Sequence, residues 1–590
     1  MPTSLVAADS LLAVEVGAVS TRAALFDVVE GRYRFLASSA VPTTAGAPFL
    51  NVSEGVHTAL DRLQRITGRV LLGPDEDPIM PSGVDGSGID TFAAMVSAGP
   101  PLKVVAIGLL EDVSLESARR LATTSYCQVL ETIGLNDRRK PDVRIDSILR
   151  LRPDLIVVAG GTQDGASQSV LRLLEPVGLA CYLMPESQRP HLLFAGNQAL
   201  KDEIQENLGG FTHLHFAPNI RPLLDYEELD AAQAEVARIY SRIRSQRMLG
   251  VSALNTWAKG GLVPTATALG RIVRFWSKAR AAKKGIMGVD VGASATTIAT
   301  ADNGDLALGV YPQFGLGRCL SDLLQHVPLQ DITRWLTLEI PDQQVHAYLL
   351  NKAIYPASLP ATPEELEIEQ AIARQVMQSA AKVAAGGFPE KMQGPGEGLL
   401  PYVDRIVATG SVLTRAPSLA HSVLTLLDGL QPTGITELYL DQNHMAAALG
   451  AAAAVNPVLA VQSLSSNAIL HLGTVITPVA DVRPGTLVLR LKVTYDNNQQ
   501  TNLEVKQGSL EVIPVSFGQS VRIQLHPLHH ADVGWGVPGR GGELKNLTGS
   551  ALGIIVDARG RPYAPPPNLA RRNELYRKWL WTFGGQSGGN

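Results

Sequence analysis

Cysteine is scarce. The 590 residues hold three, Cys127, Cys181 and Cys319, far apart and without a Cys-x-x-Cys pair. That excludes a disulfide framework and a structural zinc site of ordinary spacing. A basic excess is also missing: 51 Lys and Arg stand against 55 Asp and Glu, a net charge of −4. Nucleic acid is therefore not an expected partner, because neutralising many phosphates takes a surplus of cations. No basic residue precedes the first apolar run, Leu11–Val16, so the N-terminus does not read as a signal peptide. The most apolar window, Met445–Val461, is broken by Asn456 and Pro457, and reads as an Ala-rich buried helix instead of a membrane span. The expectation is a cytoplasmic protein without membrane contact. GxxxxGK[ST], GxSxG and HExxH are all absent, so the commonest phosphate-loop, serine-hydrolase and zinc-protease signatures do not apply.

What is present is chain enough for roughly four domains, with 45% hydrophobic residues, an ordinary globular share. Residues 11–41 read as three apolar strands with turns at Gly17 and Gly31. From 102 to 245 apolar strands alternate with helices, which implies a parallel sheet covered on both faces. The strand reading there includes the run Leu179–Pro185. Gly160–Gly165 is a strand-to-helix turn at the edge where such sheets bind ligands. Residues 285–311 repeat the opening pattern, and 403–455 give strand, helix, strand and Ala-rich helix. After Pro457 the text becomes short alternating stretches, expected to form a barrel or sandwich. The segment Ala570–Trp581 is expected to dock through Trp579 and Trp581, followed by a frayed Gly-rich tail. The predicted boundaries are a first lobe at 1–280 (with its Rossmann-like part at about 102–245), a second lobe at 281–460, a β-rich domain at 461–565 and a terminal helix and tail at 566–590.

The repeated hairpin carries the chemistry. In each copy an acid ends a buried strand and is followed by Gly and hydroxyls: Glu15, Gly17, Ser20, Thr21, and Asp290, Gly292, Ser294, Thr296. Phosphates need backbone N–H groups that approach closely and short hydroxyls that do not block them. The two carboxylates are expected to face each other and hold Mg²⁺ through water, since this ion keeps several of its waters.

This doubled motif resembles the superfamily of actin, Hsp70 and sugar-kinase ATPases. The resemblance implies a duplicated, ribonuclease H-like bilobal α/β fold in which Gly17–Thr21 and Asp290–Thr296 are phosphate loops. Val407–Thr414, with Gly410 and Ser411, would be the adenosine loop, and ATP with Mg²⁺ the ligand. More closely, Ala408–Ala452, with KVVAIGLLEDVSLESARR, DLIVVAGGTQDG, FAGNQALKDEI and VDVGASATT, resembles the glutamate mutase accessory family called MutL or GlmL, unrelated to the mismatch-repair protein of that name. The resemblance covers about 11–455. It implies an ATP-binding, chaperone-like factor that reactivates an adenosylcobalamin-dependent carbon-skeleton mutase or aminomutase. Glu15 and Asp290 would act as catalytic and metal-organising acids, and a mutase subunit would be the partner.

Four positions depart from the family pattern: Glu15 replaces the first-loop Asp, Ala293 the second Gly, Thr297 a final Asp, and Ser411 a Gly. Two other readings remain open, a non-hydrolysing scaffold of the same fold and a small-molecule kinase.

Elsewhere, His526, His529, His530 and Asp532 are read as polar loop residues instead of metal ligands, because adjacent strand residues face opposite sides. Trp535 and Arg540 sit in a Gly-rich connector. Residues 83–90 are read as a surface loop. Arg571, Arg572, Arg577 and Lys578 are expected on a solvated helix face.

Overall fold

The computed structural model describes residues 9–279, 283–465 and 468–584. The expected lobe boundary at 280/281 and the tail at 585–590 lie outside the described residues, as does the N-terminal segment 1–8.

The first lobe begins with β1 (Leu11–Val16), β2 (Ser20–Val29) and β3 (Arg32–Pro42), followed by a helix, Val52–Thr67, and β4 (Thr91–Val96). The helix is capped by Asn51, whose side chain accepts from the Ser53 N–H, and it turns Val56, Leu60 and Leu63 onto the sheet. The chain then leaves the lobe for β5 (Leu102–Gly108), β6 (Cys127–Ile133), β7 (Leu155–Ala159), β8 (His191–Phe194) and β9 (His213–Phe216), and returns as β10 (Leu262–Pro264). Strands β5–β9 form an all-parallel, doubly wound sheet of order β6-β5-β7-β8-β9. The lobe's own sheet runs β10-β4-β1-β2-β3, antiparallel across β1, β2 and β3 and parallel from β1 to β4 and β10.

The second lobe repeats this order with β11 (Ile286–Val291), β12 (Thr296–Asp302), β13 (Asp305–Tyr311), β14 (Arg405–Thr409) and β15 (Gly434–Leu440). Antiparallel pairs join β11, β12 and β13, and parallel pairs run β11 to β14 to β15. Two sheets of identical order and polarity make the duplicated ribonuclease H-like, actin-like bilobal fold. The lobes meet through the helices Thr265–Ala279 and Met445–Ala452, whose Ala268, Leu269, Leu449 and Ala452 are buried between the sheets. At Gly450 the helices touch so closely that a Cβ would stand 1.8 Å from the Ala268 carbonyl oxygen.

The boundary drawn at 461 does not interrupt the sheet. β16 (Leu470–Thr477) pairs antiparallel with β15, and the second-lobe sheet continues to eight strands. The intervening strands are β17 (Leu487–Tyr495), β18 (Gln500–Lys506), β19 (Leu510–Ile513), β20 (Ser520–Pro527), β21 (Gly542–Thr548) and β22 (Ile554–Asp557). Of these, β22 and β19 extend the lobe, while β18-β17-β20-β21 form a separate layer packed on it. The β-rich region is thus a sandwich with one layer borrowed from its neighbour.

The run Leu179–Pro185, expected as a strand, is largely the end of the helix Gln168–Leu183; a short apolar run does not distinguish a strand from a buried helix. The helix Leu569–Thr582 buries Trp579 but leaves Trp581 72% exposed. Its Arg572 is not solvated throughout, since Nε donates to the Leu336 carbonyl at 2.7 Å.

Candidate functional site: a cleft between two matched turns

Strand register fixes the turns. The last β1–β2 pair is Val16 with Thr21 and the last β11–β12 pair is Val291 with Thr296, so residues 17–20 and 292–295 form equivalent four-residue loops. Each is closed the same way. Gly17 N–H donates to Ser20 O at 3.0 Å, and Gly292 N–H to Ala295 O at 3.0 Å. A Cβ at Gly17 would stand 2.9 Å from the Ser20 oxygen, closer than a side chain tolerates.

The two turns face one cavity of about 430 Å³ between the lobes. Glu15, Gly17, Ser20, Asp290, Gly292, Ser294, Gly410 and Ser411 all line it. Ser294 crosses the cleft, its hydroxyl donating to the Ser97 carbonyl at 3.3 Å. Gly410, at φ +107°, lies against the end of β11, where a Cβ would meet the Val291 oxygen at 2.3 Å. Only glycine fits there.

Thr21 and Thr296 do not line the cavity. Both are fully buried, and the Thr296 hydroxyl donates to the Phe314 carbonyl at 2.6 Å. Strand alternation is the reason: the residue one step past the last pair, not the pair itself, shares a face with the acid. In register those positions are Arg22, opposite Glu15, and Thr297, opposite Asp290, and both line the cavity.

The electrostatics are asymmetric. Glu15 has a partner, Arg22, at 3.4 Å. Asp290 has no ion-pair partner among the described residues. Burial, then the neighbouring Glu15 carboxylate, push its carboxyl up to about 7, and Asp441 adds to the shift. Asp441 is itself pushed up to about 6 by burial, although it accepts the Met445 and Ala446 N–H groups at 2.7 Å each and so starts the helix Met445–Ala452. His444 bonds the Thr409 hydroxyl at 3.1 Å and is pushed down to about 3 by burial and by Arg22 and Arg415.

Among the described residues, no group of three or more His, Cys, Asp or Glu side chains could hold a metal ion unaided. One acid short of positive charge beside two glycine turns does fit a magnesium nucleotide, since this ion ordinarily takes one or two carboxylates and completes its shell with phosphates and water.

Sequence reasoning missed several lining residues. Ser97, Tyr126, Tyr240, Thr265, Lys352, Glu369, Arg415 and His444 all reach the cavity. Tyr126 and Tyr240 come from the doubly wound insert and its following helix, so the insert forms part of the cleft wall. Lys352 and Glu369 pair at 3.2 Å across two helices, Asp342–Ile354 and Pro363–Ala384. The hairpin register signalled Arg22; the others carry no local sequence mark.

Other candidates lie elsewhere. The Gly160–Gly165 turn touches neither described cavity and is held by Asn219, whose side-chain amide donates to the Gly161 carbonyl at 3.0 Å. The loop 83–90 is pinned by Asp90, which accepts from Ser10 and Ser82, and stays outside the cleft. Asp532 accepts the Tyr402 hydroxyl at 2.6 Å, a structural bond.

Residues 11–468 match the sequence profile of the MutL protein family. The chain belongs to the MutL family. A relative, protein MutL of Clostridium tetanomorphum, is 24% identical over 405 residues, covering 62% of this chain and 84% of that protein. Among solved structures, nucleotide-free acetone carboxylase is 11% identical with a TM-score of 0.30, covering 85% of this chain and 81% of the other. A carbohydrate kinase from Novosphingobium aromaticivorans is 11% identical with a TM-score of 0.27, covering 77% and 92%. The ethanolamine utilization protein EutJ from Carboxydothermus hydrogenoformans is 10% identical with a TM-score of 0.25, covering 76% and 91%. At such TM-scores these likenesses carry no argument about the MutL-family chain, whose fold rests on its strand order.

Proposed function

We propose that this MutL-family chain binds Mg-ATP between its lobes and serves as an accessory, reactivating factor for an adenosylcobalamin-dependent mutase. The observation that supports it is the facing of two matched Gly turns across one cavity, with Glu15 and Asp290 at their bases. Phosphate oxygens would be held by the backbone N–H groups of the two turns with Ser20 and Ser294. The third loop, Gly410–Ser411, would carry the adenosine side. When bound, Mg²⁺ supplies positive charge that offsets the phosphates, and Glu15 and Asp290 are the side chains that would hold it. Asp290 would also orient the attacking water and accept its proton. Closure of the lobes on nucleotide would move the insert as well, because Tyr126 and Tyr240 belong to the same wall, and such domain motion is a common means of turning nucleotide occupancy into work on a partner.

Calorimetry with Mg-ATP and a phosphate-release assay test the first half. Binding with turnover that disappears in Asp290→Ala is expected; binding without turnover assigns the chain to the non-hydrolysing scaffold, to which the Glu15–Arg22 pair would suit it. Affinity capture from the source cell's extract, with and without ATP, tests the second half. Recovery of a cobalamin mutase subunit in an ATP-dependent manner is the expected result, and its absence in both conditions removes the mutase assignment.

A further inference from the structure

Behind the Glu15–Arg22 pair lies a second cavity of about 340 Å³. It shares Glu15, Arg22, Ala40, Arg415 and His444 with the nucleotide cleft. It is otherwise lined by the helix Val52–Thr67, which supplies Arg62, and by the loop Gln442–Asn443 ahead of the helix Met445–Ala452, and it opens to solvent. Three guanidinium groups, Arg22, Arg62 and Arg415, line this space against a single carboxylate, Glu15.

The guanidinium groups are not used up by the protein. The only side-chain partner of Arg22 among the described residues is Glu15, at 3.4 Å through one amino group, which leaves its other donors free. One amino group of Arg62 donates to the Ala40 carbonyl at 2.9 Å and anchors the side chain at the cavity wall. Arg415 lines the same space and takes part in no ion pair among the described residues. His444 stays neutral between Arg22 and Arg415; it adds no charge and offers no compensation. Asp290 and Asp441 also act on Arg22, but Arg62 and Arg415, at the exposed rim, have no acidic partner among the described residues. Guanidinium groups are also weakly hydrated and match tetrahedral oxyanions in a forked geometry.

We propose that this second cavity is a binding site for a small oxyanion, with inorganic phosphate as its simplest ligand, coupled to the cleft through Arg22. An anion here draws Arg22 away from Glu15 and frees that carboxylate toward the nucleotide side. A nucleotide cation site that recruits Glu15 releases Arg22 toward the anion, so by linkage each ligand favours the other. The anion site itself does not depend on the proposed nucleotide function; only the coupling does.

The test uses the full chain without nucleotide. Phosphate is titrated by calorimetry and by ³¹P line broadening, with chloride and nitrate as controls for general ionic strength. Saturable phosphate binding is expected, weakened about tenfold or more in Arg62→Ala, a residue that lines only the second cavity, and largely kept in Arg62→Lys. Circular dichroism confirms that both variants melt as the parent does. A second arm repeats the titration with ADP and Mg²⁺ present, which separates free phosphate in the rear cavity from phosphate lodged in the cleft; binding there is expected to be equal or tighter. No saturable phosphate binding overturns the proposal. So does binding that is indifferent to Arg62, and so does binding that ADP abolishes, since either places the anion in the cleft. Failure of the nucleotide function appears separately, as absent ADP binding with phosphate binding intact.

Discussion

At Gly410 the backbone leaves no room for a side chain. Its φ of +107° and the 2.3 Å approach of a would-be Cβ to the Val291 carbonyl stand together. A non-glycine residue held in this region costs roughly 1–3 kcal/mol before the overlap is counted. Gly410→Ala is therefore expected to lower the urea midpoint and to weaken ATP at least about tenfold, as read by chemical denaturation and calorimetry. Asp290 makes a pH statement. Its carboxyl is raised to about 7 in the folded chain and stands near 4 when unfolded. Between those values the folded chain holds a proton that the unfolded chain has lost, so stability falls as pH rises from about 4 to about 7 and levels off above. Asp441, raised to about 6, acts in the same direction. Asp290→Asn should be more stable than the parent at pH 8 and show a shallower decline, measured by denaturation across pH 4–8. Mg-ATP binding, which favours the ionised form, should release protons near pH 7, visible as buffer-dependent heats. Alternation along β2 and β12 decided which residues share the acids' face; motif reading alone selected Thr21 and Thr296, and strand pairing substitutes Arg22 and Thr297.

Among the elements, the junction between the second lobe and its β extension is the most heavily charged interior region described. Asp557, fully buried, accepts from Arg559 at 2.9 and 3.0 Å and from Arg561 at 2.8 Å, and these bonds hold its carboxyl well below the usual range against the cost of burial. Arg559 continues to Asp428 at 2.8 Å, and Asp428 accepts from Arg374 at 2.9 Å. Arg559 also stacks between Tyr563 and Trp579. Removing one partner from such a network strands its charges in low dielectric, at about 3–5 kcal/mol. Asp557→Ala should show that loss in thermal or chemical denaturation, whereas Arg571→Ala, on the exposed face of the last helix, should change stability by less than about 0.5 kcal/mol. None of this was legible in the sequence: Asp428, Asp557 and Arg374 are far apart in the chain, and no local pattern marks them as partners.

For the whole molecule, several bonds among the described residues cross from the first lobe to the second, among them Ser294 to the Ser97 carbonyl at 3.3 Å, Val310 N–H to the Thr123 carbonyl at 2.7 Å, Arg120 to the Gly386 carbonyl at 3.1 Å, Gly304 N–H to the Ser277 hydroxyl at 2.9 Å and Asn456 to the Tyr33 hydroxyl at 2.8 Å. Thr123 and Arg120 belong to the insert, which is thereby tied directly to the second lobe. The β extension is part of the second lobe's sheet, and Leu472, Val475, Ile555 and Trp579 belong to that lobe's core. A chain ended at residue 468 should for that reason aggregate on expression, because it bares the β15 edge and an apolar face; sedimentation of the truncated chain checks this. Among the described residues, no helix is long and apolar enough to cross a membrane. The amino-acid sequence alone determined the duplicated acid-and-glycine hairpins, the doubly wound insert and the family, because each is written in a local pattern of apolar alternation and turn residues. Only the tertiary structure decided that the two hairpins share one cleft, that the insert walls it, that arginines gather behind Glu15 and that the last domain borrows a sheet, because these depend on contacts between segments hundreds of residues apart, whose geometry no local spacing encodes.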